Sequence, residues 1–421
     1  MPVSAFPSVD DIAAATSPGR DRALDVIRIT ALLGVIAGHT VMATSIIRDD
    51  VFVWENLLTT SVVFQALTWI FQIMPLFFFA GVAASAGSYA GNWGGWLLKR
   101  CTRLYRPVFS YLAFWAVALA IGHRVLPRHV YEPIAGISIQ LLWFLGAYVL
   151  VLAAVPLLRS VTTVGRMAAS VVLIYTMIAT IDAIRVNAPG WEALGYLNLA
   201  VWLIPGIFGI AYRNRLLTVS QAALLGFGML ALNAALLRFG PYELSLVGID
   251  GQQLKNMMPP SLLLAGHAIM MCAFAIAAAP AIDRWARRPR VWWLTAIGNS
   301  GAMTLYLWHI PALLAVHLVF DTAGFPRYPG QPHFLALSIA QVLIMTAVVA
   351  VLFVALRPLE NNPLPHWDGG VVTDRRSIAV GTLLCTAGAA TLASCVWGLK
   401  DLGLYCVAAM LVALVGARAL A

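Results

Sequence analysis

The stretch that decides the fold runs Arg22-Ala-Leu-Asp-Val-Ile-Arg28 and on through Ile29-Thr-Ala-Leu-Leu-Gly-Val-Ile-Ala-Gly-His39. It opens a long apolar segment that nevertheless carries an aspartate, an arginine and a histidine. Arg28 and His39 are eleven positions apart. At ~100° per residue this closes three helical turns, so both side chains face one way, separated by about 16 Å along the axis. Asp25 lies one turn before Arg28, within pairing reach of its guanidinium. An ionisable group inside a membrane span costs about 2.5–3.5 kcal/mol on insertion scales, so such groups tend to face the protein interior and mark function. Arg28 also has a plainer reading, as an interfacial anchor snorkelling to the head groups. His39 has one as a satisfied interior histidine, but about 15 residues into the span it sits near the bilayer centre.

Working outward, 61% of the 421 residues are hydrophobic and 11% are charged, with a mean hydropathy of +0.84. That excludes a soluble domain and predicts an all-α, polytopic transmembrane helix bundle. The net charge of +9 does not call for nucleic acid, because the basic residues are distributed by loop. Cys101, Cys272, Cys385, Cys395 and Cys406 form no C-x-x-C pair and read as small hydrophobes, with neither a disulfide framework nor a metal site. Residues 1–20 contain Asp10 and Asp11 and lack a basic n-region and a cleavage site. They read as a disordered cytoplasmic tail, with the first span retained as a helix.

Twelve apolar segments are expected as membrane helices, at about 25–46, 62–88, 105–123, 137–158, 167–185, 196–212, 216–237, 259–281, 292–319, 334–356, 378–397 and 402–420. With the N-terminus inside, more than twice as many Lys and Arg fall on the cytoplasmic side as on the other, so both termini are expected there. The outer loops 47–61, 124–136 and 238–258 carry Asp49, Asp50, Glu55, Glu132, Glu243 and Asp250. Residues 358–377, with Pro358, Pro363 and Pro365, read as a cytoplasmic linker. This gives a membrane domain of ten helices over 21–357. The two further helices in 378–421 read as structural anchors with almost no buried polar residues.

Trp96-Leu-Leu-Lys-Arg-Cys-Thr-Arg-Leu-Tyr-Arg-Pro107 puts Lys99, Arg100, Arg103 and Arg106 in eight residues. If helical, Arg100 and Arg103 share a face. Guanidinium forks suit phosphate oxygens, giving bidentate, charge-assisted bonds; the plainer reading is positive-inside bias. Other polar marks in apolar runs are Leu142-Trp-Phe-Leu-Gly-Ala-Tyr148, Asn256-Met-Met-Pro-Pro-Ser261 and Gly298-Asn-Ser-Gly-Ala-Met-Thr-Leu-Tyr-Leu-Trp-His-Ile-Pro311. The double proline is also what a first helical turn accepts. Tyr306 and His309 are one turn apart, and a structural hydrogen bond is the favoured role for Tyr306.

Together these motifs resemble the membrane acyltransferase-3 family over about residues 20–357. Arg22, Leu24, Asp25, Arg28 and His39 match its first-helix pattern. Arg100, Arg103 and the following Pro107 resemble the stretch associated with coenzyme A phosphates. Trp143 falls in a Trp-Phe-Leu helix, and Ser300, Tyr306 and His309 in a Ser…Tyr-Leu-x-His helix. The sequence departs at Leu141, where many members carry a histidine. The resemblance implies an O-acyltransferase that takes an acyl group, acetyl being favoured, from cytoplasmic acyl-CoA to a hydroxyl of a carbohydrate or envelope glycolipid. The Ala-, Arg- and Trp-rich composition points to a high-GC bacterium, and thus to its inner membrane. His39 and Arg28 are the catalytic candidates, and Arg28, Arg100 and Arg103 the cofactor-binding ones. Asp25, Trp143, Ser300, Tyr306 and His309 are substrate or structural candidates. A neutral His39 imidazole suits the removal of the acceptor hydroxyl's proton; an acyl-histidine intermediate stays open. Two other classes stay open too. One is a secondary transporter, which also buries Arg and His near the midplane, although no paired repeats with matching Gly/Pro breaks are present. The other is a silent lipid flippase or scaffold.

Overall fold

The computed structural model describes residues 6–188, 190–249 and 254–421; Asp250, counted among the outer-loop acids, lies outside them. In chain order the elements are α1 (Val9–Ala15), α2 (Arg22–Met42), β1 (Ala43–Arg48), β2 (Val51–Asn56), α3 (Val62–Phe71), α4 (Met74–Ala86), α5 (Trp93–Val125), α6 (Arg128–Ile137), α7 (Leu142–Ala153) and α8 (Val155–Leu158). They continue with α9 (Val164–Asn187), a 3-10 stretch Glu192–Trp202 leading into α10 (Leu203–Arg213), α11 (Val219–Phe239), α12 (Leu262–Ala286), α13 (Pro289–Ser300), α14 (Ala302–Thr322), α15 (Phe334–Asn361), α16 (Asp374–Trp397) and α17 (Leu402–Ala419). Among the described residues twelve helical segments are long and apolar enough to cross a membrane. The chain is a multi-pass integral membrane protein. Many helix starts are set by side-chain caps: Ser61, Asn92, Thr163, Thr218 and Ser261 each accept a backbone N–H of the first turn.

Several boundaries differ from the sequence expectation; the fourth span starts at Arg128 rather than near 137, so most of the expected outer loop 124–136 is helical. The first span ends at Met42, and residues 43–56 form an antiparallel hairpin with Ser45 opposite Trp54. Asp49 and Asp50 both have positive φ (47° and 62°), as a two-residue turn between right-twisted strands requires. The third span begins at Trp93 rather than near 105, because the Asn92 side chain caps it by accepting from Gly95 N at 2.8 Å. Lys99, Arg100, Arg103 and Arg106 are therefore helical. The ninth span is split, with α13 and α14 meeting at Gly301. The tail expected to be disordered over 1–20 instead forms α1 within its described part. Ser8 and Asp11 build a capping box, and the Trp292 and Trp293 indoles donate to Thr16 Oγ1 (2.7 Å) and Pro7 O (2.8 Å).

The chain forms two compact units. Unit 1 comprises the chain up to Gly38, Leu58–Gly87 and Ala154–Asn299. The span made by α3 and α4 breaks before Pro75, and the Gln72 carbonyl freed near the break accepts from His267 Nε2 at 2.9 Å. Such internal pairing is what an apolar solvent demands of a broken helix. The buried Asp182 carboxylate accepts from Arg185 Nη1 (3.1 Å), Asn198 Nδ2 (3.0 Å), Tyr242 Oη (3.2 Å) and Leu262 N (2.8 Å). That network pins the start of α12.

Unit 2 comprises His39–Leu57, Ser88–Ala153 and Ser300–Ala421. Its fourth span breaks between α6 and α7, and two carbonyls there are taken by tyrosines. Tyr111 Oη donates to Ser138 O at 2.6 Å, and Tyr306 Oη donates to Leu141 O. The last two helices are integral to this unit. A Cβ on Gly146 of α7 would lie 2.6 Å from the Gly388 carbonyl oxygen of α16. The expectation that they bury almost nothing polar is corrected by Ser377, Thr391 and Ser394, all buried. Ser377 Oγ accepts from Gly94 N at 2.9 Å, and Thr391 Oγ1 pairs with Tyr105 Oη at 2.9 Å. A hydropathy reading misses these because small hydroxyls scarcely lower the average of an apolar run.

Candidate active site

In unit 2 the structure brings together two of the histidines marked by the sequence. His39, near the end of α2, places Nδ1 3.0 Å from Nε2 of His309 on α14. The ring centroids are 5.2 Å apart and the planes 14° from parallel, so the two imidazoles lie edge to edge along this contact. The hydrogen-bond network assigns the tautomers. His309 Nδ1 lies 3.1 Å from the Leu305 carbonyl, which only accepts, so this nitrogen carries the hydrogen. In a neutral ring His309 Nε2 is then a lone pair, and His39 Nδ1–H donates to it. His39 Nε2 is left as the basic nitrogen, with no partner among the described residues. His309 is buried, whereas His39 is only half-buried. One ring is thus engaged at both nitrogens, while the other is engaged at Nδ1.

Tyr306, one turn before His309, is held by the freed Leu141 carbonyl and by an edge contact with Phe144 at 5.5 Å. Trp143 is half-buried and meets Phe144 edge-on at 6.2 Å. The carbonyl of Ser300 accepts from Asn361 Nδ2 at 2.8 Å.

In unit 1 the buried Asp25 organises two arginines. Arg20 grips it through Nε (2.6 Å) and Nη2 (2.8 Å), and Arg28 Nη2 reaches Oδ1 at 3.2 Å, the one-turn pairing the spacing allows. Arg28 Nε also donates to Asn299 Oδ1 at 2.7 Å, while Asn299 Nδ2 donates to the Asp25 carbonyl at 2.9 Å. Arg28 is therefore oriented, and it shares the single Asp25 charge with Arg20. Asn299 was not singled out from sequence. Its signal was adjacency to Ser300 in the same Gly-Asn-Ser-Gly run.

The arginines of α5 differ from one another. Arg100 is engaged: its guanidinium lies 3.9 Å over the Trp96 ring and donates to Trp96 O at 2.9 Å and to Ser88 Oγ. Arg106 is engaged as well, pairing with Asp368 and donating to Glu360 O at 2.9 Å. Arg103 is exposed, with no partner among the described residues.

The model of the acyltransferase-3 family, described as an acyltransferase domain, matches residues 21–357. The chain belongs to the acyltransferase-3 family. No curated protein and no solved structure matches it significantly. The matched range holds His39, His309, Asp25, Arg28 and all the α5 arginines, and it ends inside α15, before the last two helices.

This acyltransferase-3 chain also carries a polar cluster that sequence reasoning missed. In unit 2, Ser45 Oγ donates to Asp321 Oδ2 at 2.6 Å and lies 2.7 Å from His317 Nδ1. A serine has one hydrogen to give, so with Asp321 ionised it is His317 Nδ1–H that donates to Ser45. Trp54 meets the His317 ring edge-on at 5.0 Å. Arg327 closes the region by donating to Ser338 Oγ (3.0 Å), Val41 O (2.8 Å) and Ala43 O; burial pushes its pKa down to about 10. The available signal was His317 and Asp321 one turn apart at the end of an apolar helix.

Proposed function

We propose that this membrane acyltransferase is an O-acyltransferase that passes an acyl group, acetyl in the favoured case, from cytoplasmic acyl-CoA to a hydroxyl of an extracytoplasmic carbohydrate or envelope glycolipid. The proposed setting is a bacterial inner membrane. The observation that carries the reading is the His39–His309 pair, whose tautomers leave His39 Nε2 as a supported base. His39 Nε2 takes the acceptor hydroxyl's proton while that oxygen attacks the thioester carbonyl. The imidazolium that forms keeps its Nδ1–H bond to His309 Nε2, which strengthens once the donor ring is charged. Collapse of the tetrahedral adduct breaks the carbon–sulfur bond, and His39 returns the proton to the departing thiolate. The step balances without a covalent enzyme intermediate.

Arg28, Arg100 and Arg103 are proposed to attract the charged end of the donor. Arg103 is the most available of the three, because its guanidinium is exposed and uncommitted. His39 follows Arg28 by eleven residues on one unbroken helix, a rise of about 16 Å, which suits an extended pantetheine arm. The bundle suits a secondary transporter or flippase equally in helix number. What favours chemistry is a base whose proton-bearing nitrogen is held by a second histidine. The test is acyl-CoA turnover by the purified chain: release of free thiol that His39→Ala removes supports the enzyme. Substrate translocation with no thiol release by the unsubstituted chain would point to the transporter.

A further inference from the structure

A cavity of about 680 Å³ lies wholly within unit 1, between the start of α2, the end of α4 and the end of α10. Its charged and polar lining includes Arg20, Asp21, Asp25, Tyr212, Arg213 and Arg215. Both carboxylates are turned into the protein. Asp25 is held by Arg20 and Arg28, and Asp21 accepts from Leu24 N (3.1 Å) and Tyr212 Oη (2.9 Å). The arginines at the end of α10 are different. Arg213 and Arg215 are exposed and have no partner among the described residues. The Arg213 guanidinium rests against Gly87, where a Cβ would come within 2.2 Å of Nη2.

Arg215 has a second peculiarity. It occupies the left-handed region with φ 51°, just past the end of α10. Its N–H bonds Tyr212 O at 3.0 Å, and Leu216 N bonds Ala211 O at 3.0 Å, so it sits at the helix-terminating position where glycine is favoured. A long side chain there costs about 1–2 kcal/mol relative to a right-handed conformation. Plain helix-end or topological arginines would explain the charge. They do not explain a cation at the one position where glycine would fit better; strained residues of this kind cluster where a ligand is gripped.

We infer that this cavity binds phosphate through Arg213 and Arg215, and that the ligand is the nucleotide end of the donor; this rests on the acyl-CoA reading above. That end carries a pyrophosphate and a ribose phosphate, several charges that a pair of uncommitted guanidinium forks suits. The volume is in the range of small-molecule pockets, roughly 300–1,000 Å³, and exceeds what one phosphate fills. A phospholipid head group presents the same phosphate chemistry and is the competing source.

The test uses the full chain in nanodiscs of phosphatidylcholine. Affinities for acetyl-CoA and adenosine 3′,5′-bisphosphate are measured by equilibrium dialysis, and KM for acetyl-CoA is compared with that for S-acetylpantetheine. Arg215→Gly removes the charge and relieves the left-handed backbone, so it keeps the fold. It is expected to weaken both nucleotides at least ~10-fold, the loss of one charge-assisted bond. Adding Arg213→Gln weakens them further, while kcat and the KM for S-acetylpantetheine hold. Nucleotide affinities within twofold of the unsubstituted chain, with unchanged melting, would overturn the inference. So would variants that lose co-purifying phosphatidylglycerol while keeping acetyl-CoA affinity, because the cavity would then be a head-group site. If the unsubstituted chain binds neither nucleotide and consumes no acetyl-CoA, the acyl-CoA reading itself fails.

Discussion

His309 Nε2 accepts the Nδ1–H of His39 across 3.0 Å, and His309 is in turn fixed by its own Nδ1–H to the Leu305 carbonyl. The direction of that chain of donors sets the chemistry, since it leaves His39 with one bonded nitrogen and one basic nitrogen. His39→Ala is expected to lower turnover about 10²–10⁴-fold, the usual contribution of a positioned base. The protein should remain folded and inserted, as alanine suits an apolar helix. Thiol release from acetyl-CoA by the purified variant checks this; near-normal release would remove His39 from the mechanism.

His309 acts on the reaction through His39, so its loss should be smaller in rate and distinct in kind. His309→Ala is expected to lower kcat about 10-fold or more while leaving KM for the donor unchanged. In the double variant with His39→Ala, the second substitution should add little, because the support has nothing left to support. Additive losses would mean that His309 only shapes the fold.

Neutralising the α5 arginines should separate binding from packing. Arg103→Gln is expected to raise the donor KM about 10-fold, one charge-assisted bond of roughly 1.5 kcal/mol or more. Arg100→Gln should act mainly on thermal stability, because it strips the cation from the Trp96 face and a donor from Trp96 O. Equal KM effects from the two would show that the engaged arginine releases its partners to meet the ligand.

Ser45→Ala should destabilise the chain without a matching loss of donor affinity. It deprives Asp321 and His317 of the hydroxyl they share, and an unpaired buried polar group costs about 1–3 kcal/mol. Thermal inactivation in detergent reads this. A melting temperature equal to that of the unsubstituted chain would mean that the two groups find each other or water.

Orientation is open to labelling. In a chain freed of its five cysteines, a cysteine at the exposed position 103 should react from the cytoplasmic side, and one at the exposed Glu243 from the other. Reaction of both from one side would mean a miscounted span.

The number and order of spans were legible because burial in lipid acts on long apolar runs, which survive averaging. The β hairpin was legible in principle: Thr44-Ser-Ile-Ile and Val51-Phe-Val-Trp flank a two-residue Asp49-Asp50 turn. A hydropathy window absorbs half of it into the preceding helix. His39 could be singled out because one ionisable residue near the bilayer centre is costly on its own. Its pairing with His309, like that of Ser45 with His317, links residues some 270 positions apart and leaves no local pattern. The breaks within the second and fourth spans are local, yet their carbonyls are satisfied by His267, Tyr111 and Tyr306, which only the folded chain brings near.

The seating of α16 on α7 has a consequence for biosynthesis. Unit 1 has all its residues once Asn299 has been made, whereas unit 2 also needs α16 and α17. Until α16 arrives, the small surface at Gly146 has no neighbour and the Tyr105 hydroxyl lacks its Thr391 partner in hydrocarbon. Helices threaded early must therefore be held, or must re-pack, until α16 is made. A stop codon placed where the family match ends would yield a polypeptide with every proposed catalytic side chain present and its second half unfinished.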